Sequence, residues 1–229
     1  MPTTEHLSFR PIADRAMQMI ADGNVVGLGT GHAATAFIRI LAERVKAGMR
    51  VRGVPTSQES ADLAMQLGIP LATFDEIDAV DIDVDGADEV DPQLNLIKGY
   101  GGALVREKIV AAAARRFVVL VGPEKIVSVL GSRGKLPVEV VPFGLTPCRR
   151  RLAALGMHAE PRLFDGKIFS TDNGNHILDC SVGPLNDPAQ TEQTILAIPG
   201  VVGCGLFLRM ANTVLIQREG GVDVLGANS

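Results

Sequence analysis

The chain has 229 residues, 46% of them hydrophobic and 21% charged, with a net charge of −4. That balance describes a globular protein with a sizeable core, excludes a disordered chain, and offers no basic field for nucleic acid. No stretch approaches the roughly 18 apolar residues that span a bilayer, and the N-terminus MPTTEHLSFRPI is not patterned as a signal peptide, so no membrane partner and a cytoplasmic location are expected.

Ile12, Ala13, Ala16, Met17 and Ile20 recur at helical spacing, and Asp22-Gly23 ends the pattern. Val25 to Gly29 then reads as a short buried strand, followed by the turn Thr30-Gly31-His32 and an Ala-rich helix with Phe37, Ile38 and Leu41. A glycine turn between strand and helix aims backbone N–H groups at whatever lies above it, which suits a phosphate or an oxyanion; a plain connection has the same pattern. Dinucleotide binding is not supported, because positions 32 and 33 are His and Ala where G-x-G-x-x-G continues, and no acidic residue follows in the expected region.

Val51 to Val54 is a second strand, Thr56 or Ser57 caps a helix from Gln58 to Leu67, and Gly68 stops it. Leu71 to Phe74, Ala79 to Val84 and Phe117 to Val121 read as further strands, the last ending near Lys125. This alternation implies a mostly parallel sheet with helices on both faces, a Rossmann-like α/β fold. Beyond Gly131-Ser132-Arg133-Gly134 come a strand (138–141), a helix opened by Thr146 as N-cap with Pro147 behind it, strands at 158–162, 167–170 and 176–180, and a helix capped by Asp187-Pro188. That succession is ferredoxin-like, so the expected domains are 1–134 with 209–229, and a smaller α+β domain at 135–208. The apolar tail segment Thr213 to Ile216 is expected to return to the first sheet.

The chemistry is expected between Asp85 and Lys108, DGADEVDPQLNLIKGYGGALVREK, because so many ionisable groups argue against a buried segment. Asp85 and Asp88 fall at the carboxyl end of a strand, Lys98 precedes the loop Gly99-Tyr100-Gly101-Gly102, and Glu107 lies in the first turns of the next helix. Open α/β sheets place ligands at such strand ends. A solvated acidic turn with a charged helix behind it remains the alternative on spacing alone. A calcium loop is not supported, since Asp81-x-Asp83-x-Asp85-Gly86 matches the start of an EF-hand but position twelve is Pro92 rather than Glu. The histidines show no metal spacing: His32 sits in the glycine turn, while His6, His158 and His176 are expected at the surface or in structural roles. Cys148, Cys180 and Cys204 lack C-x-x-C or metal spacing and read as core residues of a reducing compartment. Lys125 either meets a phosphate or is solvated.

Asp85-Gly86-Ala87-Asp88-Glu89, Ile97-Lys98-Gly99 and Arg106-Glu107-Lys108 resemble the signature of the type A ribose-5-phosphate isomerase family. Gly27-Leu28-Gly29-Thr30-Gly31, Leu136-Pro137-Val138-Glu139-Val140, Thr171-Asp172-Asn173-Gly174-Asn175 and Ile198-Pro199-Gly200-Val201-Val202 agree in order, so the resemblance spans nearly the whole chain. It implies a cofactor-free, metal-free aldose–ketose isomerase acting on a sugar phosphate in the non-oxidative pentose phosphate pathway, as a homodimer or homotetramer. Glu107 would take the carbon-bound proton, giving a cis-enediolate, and Asp85, Asp88 and Lys98 would serve the oxygens. Thr30, Gly31, His32, Ala33, Gly86, Ala87, Gly99, Tyr100, Gly101 and Lys125 would line the substrate. His32-Ala33 and Tyr100 depart from the family pattern, which has hydroxyl residues at the first place and glycine at the second. A non-catalytic sugar-phosphate sensor, a sugar-phosphate deaminase and a CoA transferase are the competing readings.

Overall fold

The structure is a computed structural model that describes residues 9–226; His6 lies outside them. The chain divides into two compact units: residues 1–87, 106–125 and 210–229 form the first, and residues 88–105 and 126–209 the second. The second unit thus takes in 88–105 and 126–134 beyond the expected 135–208, because short strands before residue 135 pair only within it.

In the first unit, strands β1 (Val25–Leu28), β2 (Arg52–Pro55), β3 (Ile82–Gly86), β6 (Phe117–Val121), β14 (Thr213–Arg218) and β15 (Gly221–Gly226) form one sheet in the order β15-β14-β6-β3-β1-β2. All neighbours are parallel except the terminal hairpin β14–β15, so the tail does return to this sheet, beside β6. Helices Arg10–Met17 and His32–Lys46 bury Ile12, Ala16, Phe37 and Leu41 with Val26, Leu28, Ile82, Val84, Val118 and Leu120 of the strands. On the other face Val25, Val54 and Val80 pack with Val110 of the helix Leu104–Ala113. Burying each such aliphatic side chain is worth about 1.5–3 kcal/mol, so a strand covered on both faces is strongly fixed.

Local signals set the element ends. Ser57 accepts a hydrogen bond from the Ser60 N–H (3.1 Å) and opens the helix Gln58–Leu67, and Gly68 closes it in the left-handed region at φ 83°. Leu71 to Phe74 is not a strand: a single bridge joins Leu71 to Gly53, and the Thr73 N–H and hydroxyl turn to the Glu76 carboxylate.

The second unit holds an antiparallel sheet of β7 (Lys135–Val140), β8 (His158–Pro161), β11 (His176–Ser181) and β12 (Val201–Cys204), in the order β12-β7-β11-β8, with helices Leu145–Ala154 and Pro188–Leu196. The chain order strand, helix, strand, strand, helix, strand gives the expected ferredoxin-like motif. Asp187 caps the second helix through the Gln190 N–H (2.9 Å). Thr146 is not an N-cap: a 3₁₀ turn, Pro142–Gly144, feeds the first helix, whose N-cap is Gly144, two residues earlier. A hairpin of β9 (Leu163–Phe164) and β10 (Lys167–Ile168) leads to β11, and β4 (Glu89–Val90), β5 (Leu96–Ile97) and β13 (Leu206–Phe207) form a small separate sheet.

Two buried carboxylates hold this unit's loops. Glu139 accepts from Thr171 Oγ1 (3.1 Å), Asn173 Nδ2 (3.1 Å) and Asn175 Nδ2 (2.9 Å), which ties β7 to the turn before β11. Glu89 accepts the Gly131 and Arg133 N–H groups at 2.6 and 2.8 Å. His176 Nδ1 lies 3.0 Å from the Phe169 carbonyl, a structural role, and His158 is exposed beside Glu160.

Cys148, Cys180 and Cys204 form no disulfide and are fully buried. Burial pushes the Cys148 thiol above its ordinary pKa and Cys180 to about 12. A thiol-specific reagent at pH 8 is therefore expected to label fewer than one cysteine per native chain and three after denaturation; rapid labelling of the native protein would contradict the burial.

Candidate functional site

Strand order reverses at β1, since β2 lies on one side of it and β3 on the other. Ligands of open α/β sheets bind outside the carboxyl ends of strands at such a reversal. Here those ends are Gly29-Thr30 after β1 and Asp85-Gly86 on β3.

Side chains alternate across a strand, so Ile82 and Val84 face the core shared with helix His32–Lys46, and Asp83 and Asp85 face the helix Leu104–Ala113. Both carboxylates are fully buried. The expectation that the acidic stretch lies outside the interior is therefore overturned: Glu89 is also fully buried, Lys98 is 2% exposed and Glu107 4%. The alternation does mark a strand, but a polar face need not be a wet one when helices cover both faces.

Room for the two carboxylates comes from glycine on the neighbouring strand. A Cβ on Gly27 would stand 2.3 Å from Asp83 Oδ1, and one on Gly29 would stand 2.3 Å from Asp85 Oδ1 and 2.5 Å from the Asp85 Cα. Asp85 Oδ1 accepts the N–H groups of Thr30 (3.0 Å) and Gly86 (2.7 Å), so the glycine turn presents its first amide to a carboxylate of the protein itself. The Thr30 hydroxyl lies 2.8 Å from Thr56 Oγ1 and donates to Ser57 Oγ (2.9 Å), while Ser60 Oγ donates to the Gly29 carbonyl (2.6 Å). Thr56, Ser57 and Ser60 thus brace the turn as a buried hydroxyl group, a role hidden in sequence because Thr56 and Ser57 read only as caps.

Glu107 is placed by the helix that covers these carboxylates. The Val80 N–H donates to the Ala113 carbonyl and the Arg115 N–H to the Val80 carbonyl, so the helix ends beside the start of β3 and runs antiparallel to it. Val110 abuts Gly27, which pairs with Asp83. Glu107 precedes Val110 by three residues on the same helix, about 4.5 Å nearer the carboxyl ends of the strands. Lys125 follows β6 in the 3₁₀ turn Pro123–Lys125, at the same end of the sheet and partly buried. Helix His32–Lys46 begins at His32 without a side-chain cap, preceded by Gly31 at φ 97°. His32 is exposed, whereas the Ala33 side chain is 8% exposed and packs in the core.

Asp88, Lys98, Gly99, Tyr100 and Gly101 belong to the second unit. The Asp88 N–H donates to the Ile97 carbonyl (2.8 Å), and Asp88 Oδ2 accepts the Tyr100 N–H (3.0 Å). Lys98 follows β5, its N–H donates to the Gly205 carbonyl (2.9 Å), and its ammonium stands 5.6 Å from the centre of the Phe207 ring. Tyr100 turns its ring toward Lys135, whose ammonium lies 4.2 Å from the ring centre, and donates its hydroxyl to the Lys135 carbonyl (3.2 Å). Burial first, and then the Asp88 and Glu89 carboxylates, push the phenol up to about 12, so it stays protonated through neutral pH. The residue that departs from the family pattern thus packs its side chain in the protein and serves Asp88 through its amide.

Among the described residues no group of three or more His, Cys, Asp or Glu is placed to hold a metal ion, and no helix is long and apolar enough to cross a membrane.

Replacing Gly29 by Ala forces β1 off the Asp85 backbone, an overpacking that costs about 1–3 kcal/mol. Gly29→Ala is expected to lower the thermal midpoint by several degrees, whereas Gly183→Ala, where an added Cβ meets nothing within 4 Å, leaves it unchanged. Equal midpoints in calorimetry would contradict the packing described.

Comparison with known proteins shows the family to which the chain belongs. A family model described as ribose 5-phosphate isomerase A (phosphoriboisomerase A) matches residues 52–221. Ribose-5-phosphate isomerase A of Gloeobacter violaceus is 51% identical over 214 residues, covering 93% of each chain. The structure of ribose 5-phosphate isomerase A from Methanocaldococcus jannaschii superposes with a TM-score of 0.92 at 42% identity, covering 98% of this chain and 100% of the other. A D-ribose-5-phosphate isomerase solved in complex with phospho-erythronic acid has a TM-score of 0.92 at 40% identity, covering 96% and 98%.

Proposed function

The chain belongs to the ribose 5-phosphate isomerase A family, and from that premise we propose that it interconverts D-ribose 5-phosphate and D-ribulose 5-phosphate. The observation that supports the reading is the near-complete burial of Glu107, on the helix that packs over β1 and β3, together with the buried Asp85 at the carboxyl end of β3, next to the strand at which the order reverses. An aldose–ketose exchange moves one proton between C1 and C2 and another between their oxygens, so it needs a base beside the carbons and polar groups at the oxygens. Glu107 is the base: it removes the C2 proton of the open-chain aldose, leaving a cis-enediolate, and returns a proton to C1. Asp85, Asp88 and Lys98 move the oxygen protons and stabilise the developing charge. A positioned base contributes about 10²- to 10⁴-fold, and a cation aimed at a developing oxyanion acts mainly in the transition state.

Asp85 suits its part because two backbone N–H groups fix its Oδ1, so the carboxylate holds one orientation. The phosphate is assigned to the uncapped helix start at Gly31 and His32, with Lys125 at the same sheet end. Gly86, Ala87, Gly99 and Gly101 contribute backbone. Phospho-erythronic acid, with which a relative was solved in complex, is a phosphorylated acid whose planar, anionic carboxylate resembles the planar, anionic end of a cis-enediolate, and this supports the intermediate. A cytoplasmic homodimer or homotetramer is the proposed setting, with no cofactor in the scheme.

Glu107→Gln keeps the shape of the side chain and removes the base. In an assay of ribulose 5-phosphate formation, kcat is expected to fall about 10²-fold or more with KM changed only a few-fold. Near-normal turnover would remove Glu107 as the base, and ammonia release or CoA dependence would favour one of the competing enzyme readings.

A further inference from the structure

We propose that Arg162 is a positioning residue for this reaction, acting through the Gly99–Tyr100 peptide on Asp88 and on the loop that follows Lys98. The proposal rests on the isomerase reading and adds to it a residue outside the signature segments. Arg162 lies between β8 and β9, and its side chain is 11% exposed. The guanidinium spends its donors in two directions. Nε and Nη2 donate to the two oxygens of Asp179 at 3.0 and 2.5 Å, and Nη1 donates to the carbonyls of Gly99 (2.9 Å) and Tyr100 (3.0 Å).

The Gly99 carbonyl and the Tyr100 N–H belong to one peptide group. Its oxygen faces the Arg162 cation and its N–H donates to Asp88 Oδ2 at 3.0 Å, so the plane is held at both ends. A cation at the oxygen polarises the amide and strengthens donation by its N–H, so the orientation of Asp88 depends on a charge one peptide away. The same segment supports the rest of the loop. The Phe169 N–H donates to the Arg162 carbonyl (2.8 Å), and a Cβ on Gly102 would stand 2.6 Å from the tip of the Phe169 ring. Gly99 and Gly102 both take positive φ, 104° and 90°, a conformation glycine adopts without the strain a side chain would bring. Asp179 fixes the rotation of the guanidinium, and only a planar fork can serve a carboxylate on one edge and two carbonyls on the other. Lysine cannot substitute for it.

The test is a double-mutant cycle on the full chain with ribose 5-phosphate as substrate. Arg162→Met is expected to lower kcat about tenfold with KM within about twofold, and Arg162→Lys to rescue little of it. In an Asp88→Asn background, Arg162→Met is expected to lower kcat less than about twofold, because the group it orients is already altered. A general structural role would give equal factors in both backgrounds, and that result, or full rescue by lysine, would overturn the proposal. If Arg162→Met does not fold, Asp179→Asn takes its place: a fall in kcat that disappears in the Asp88→Asn background supports the proposal, and an unchanged kcat overturns it. Wild-type protein that fails to isomerise ribose 5-phosphate would overturn the reaction reading and this proposal together, whereas active wild type with an additive cycle overturns this one alone.

Discussion

Burying carboxyl side chains in the middle of a parallel sheet is the constraint on which the first unit depends. A buried polar group is costly to take out of water unless hydrogen bonds replace its hydration, and β3 carries two such side chains under a helix. The arrangement is possible because β1 has glycine opposite each one, and because Thr30 and Gly86 give Asp85 two backbone donors. Any side chain at Gly27 or Gly29 would displace a carboxylate or a strand. The glycine pattern that resembles a phosphate-binding turn is thus explained first by close approach of protein to protein. Only the amides beyond Thr30, at the start of helix His32–Lys46, remain to be assigned to a ligand.

The proposed chemistry draws on that geometry. Two backbone N–H groups hold Asp85 at a strand end, Glu107 lies on a helix running back over that strand, and open α/β sheets take ligands outside the strand ends where the winding direction changes. In the second unit, the backbone of Asp88 and Lys98 is held on the Ile97 and Gly205 carbonyls, and the Asp88 carboxylate by the Tyr100 N–H. The chain passes from one unit to the other at Ala87–Asp88 and again at Val105–Arg106, so the acidic signature and the segment carrying Glu107 are each covalently continuous with both.

Much of this was legible in the sequence where periodicity and capping act locally. Phe117–Val121 is a strand as its apolar run indicates, Gly68 and Asp187 end and start helices as their chemistry requires, and the ferredoxin-like order follows from alternation alone. What was not legible depends on distant partners. Period two in Asp81 to Asp85 identified a strand, yet nothing in the segment says that its acidic face meets glycines some 56 residues away in sequence, and so is buried rather than wet. Strands β4, β5 and β13 are two residues each, too short for any period to register, and they are what draw 88–105 into the second unit. Ser60 and Arg162 carry no local signal for the same reason, and Asp83 none beyond a partial calcium-loop pattern, since their importance lies in what they face.

The central claim, that a buried carboxylate exchanges protons with a sugar phosphate carbon, is tested most directly by isomerisation in D₂O followed by NMR of the ribulose 5-phosphate formed. The account predicts deuterium at a single prochiral position of C1, because the proton held by Glu107 exchanges with solvent before it is returned to one face of a cis-enediolate. Product formed at the full rate with no deuterium at C1, as a direct hydride shift would give, or with deuterium at both positions, would contradict it.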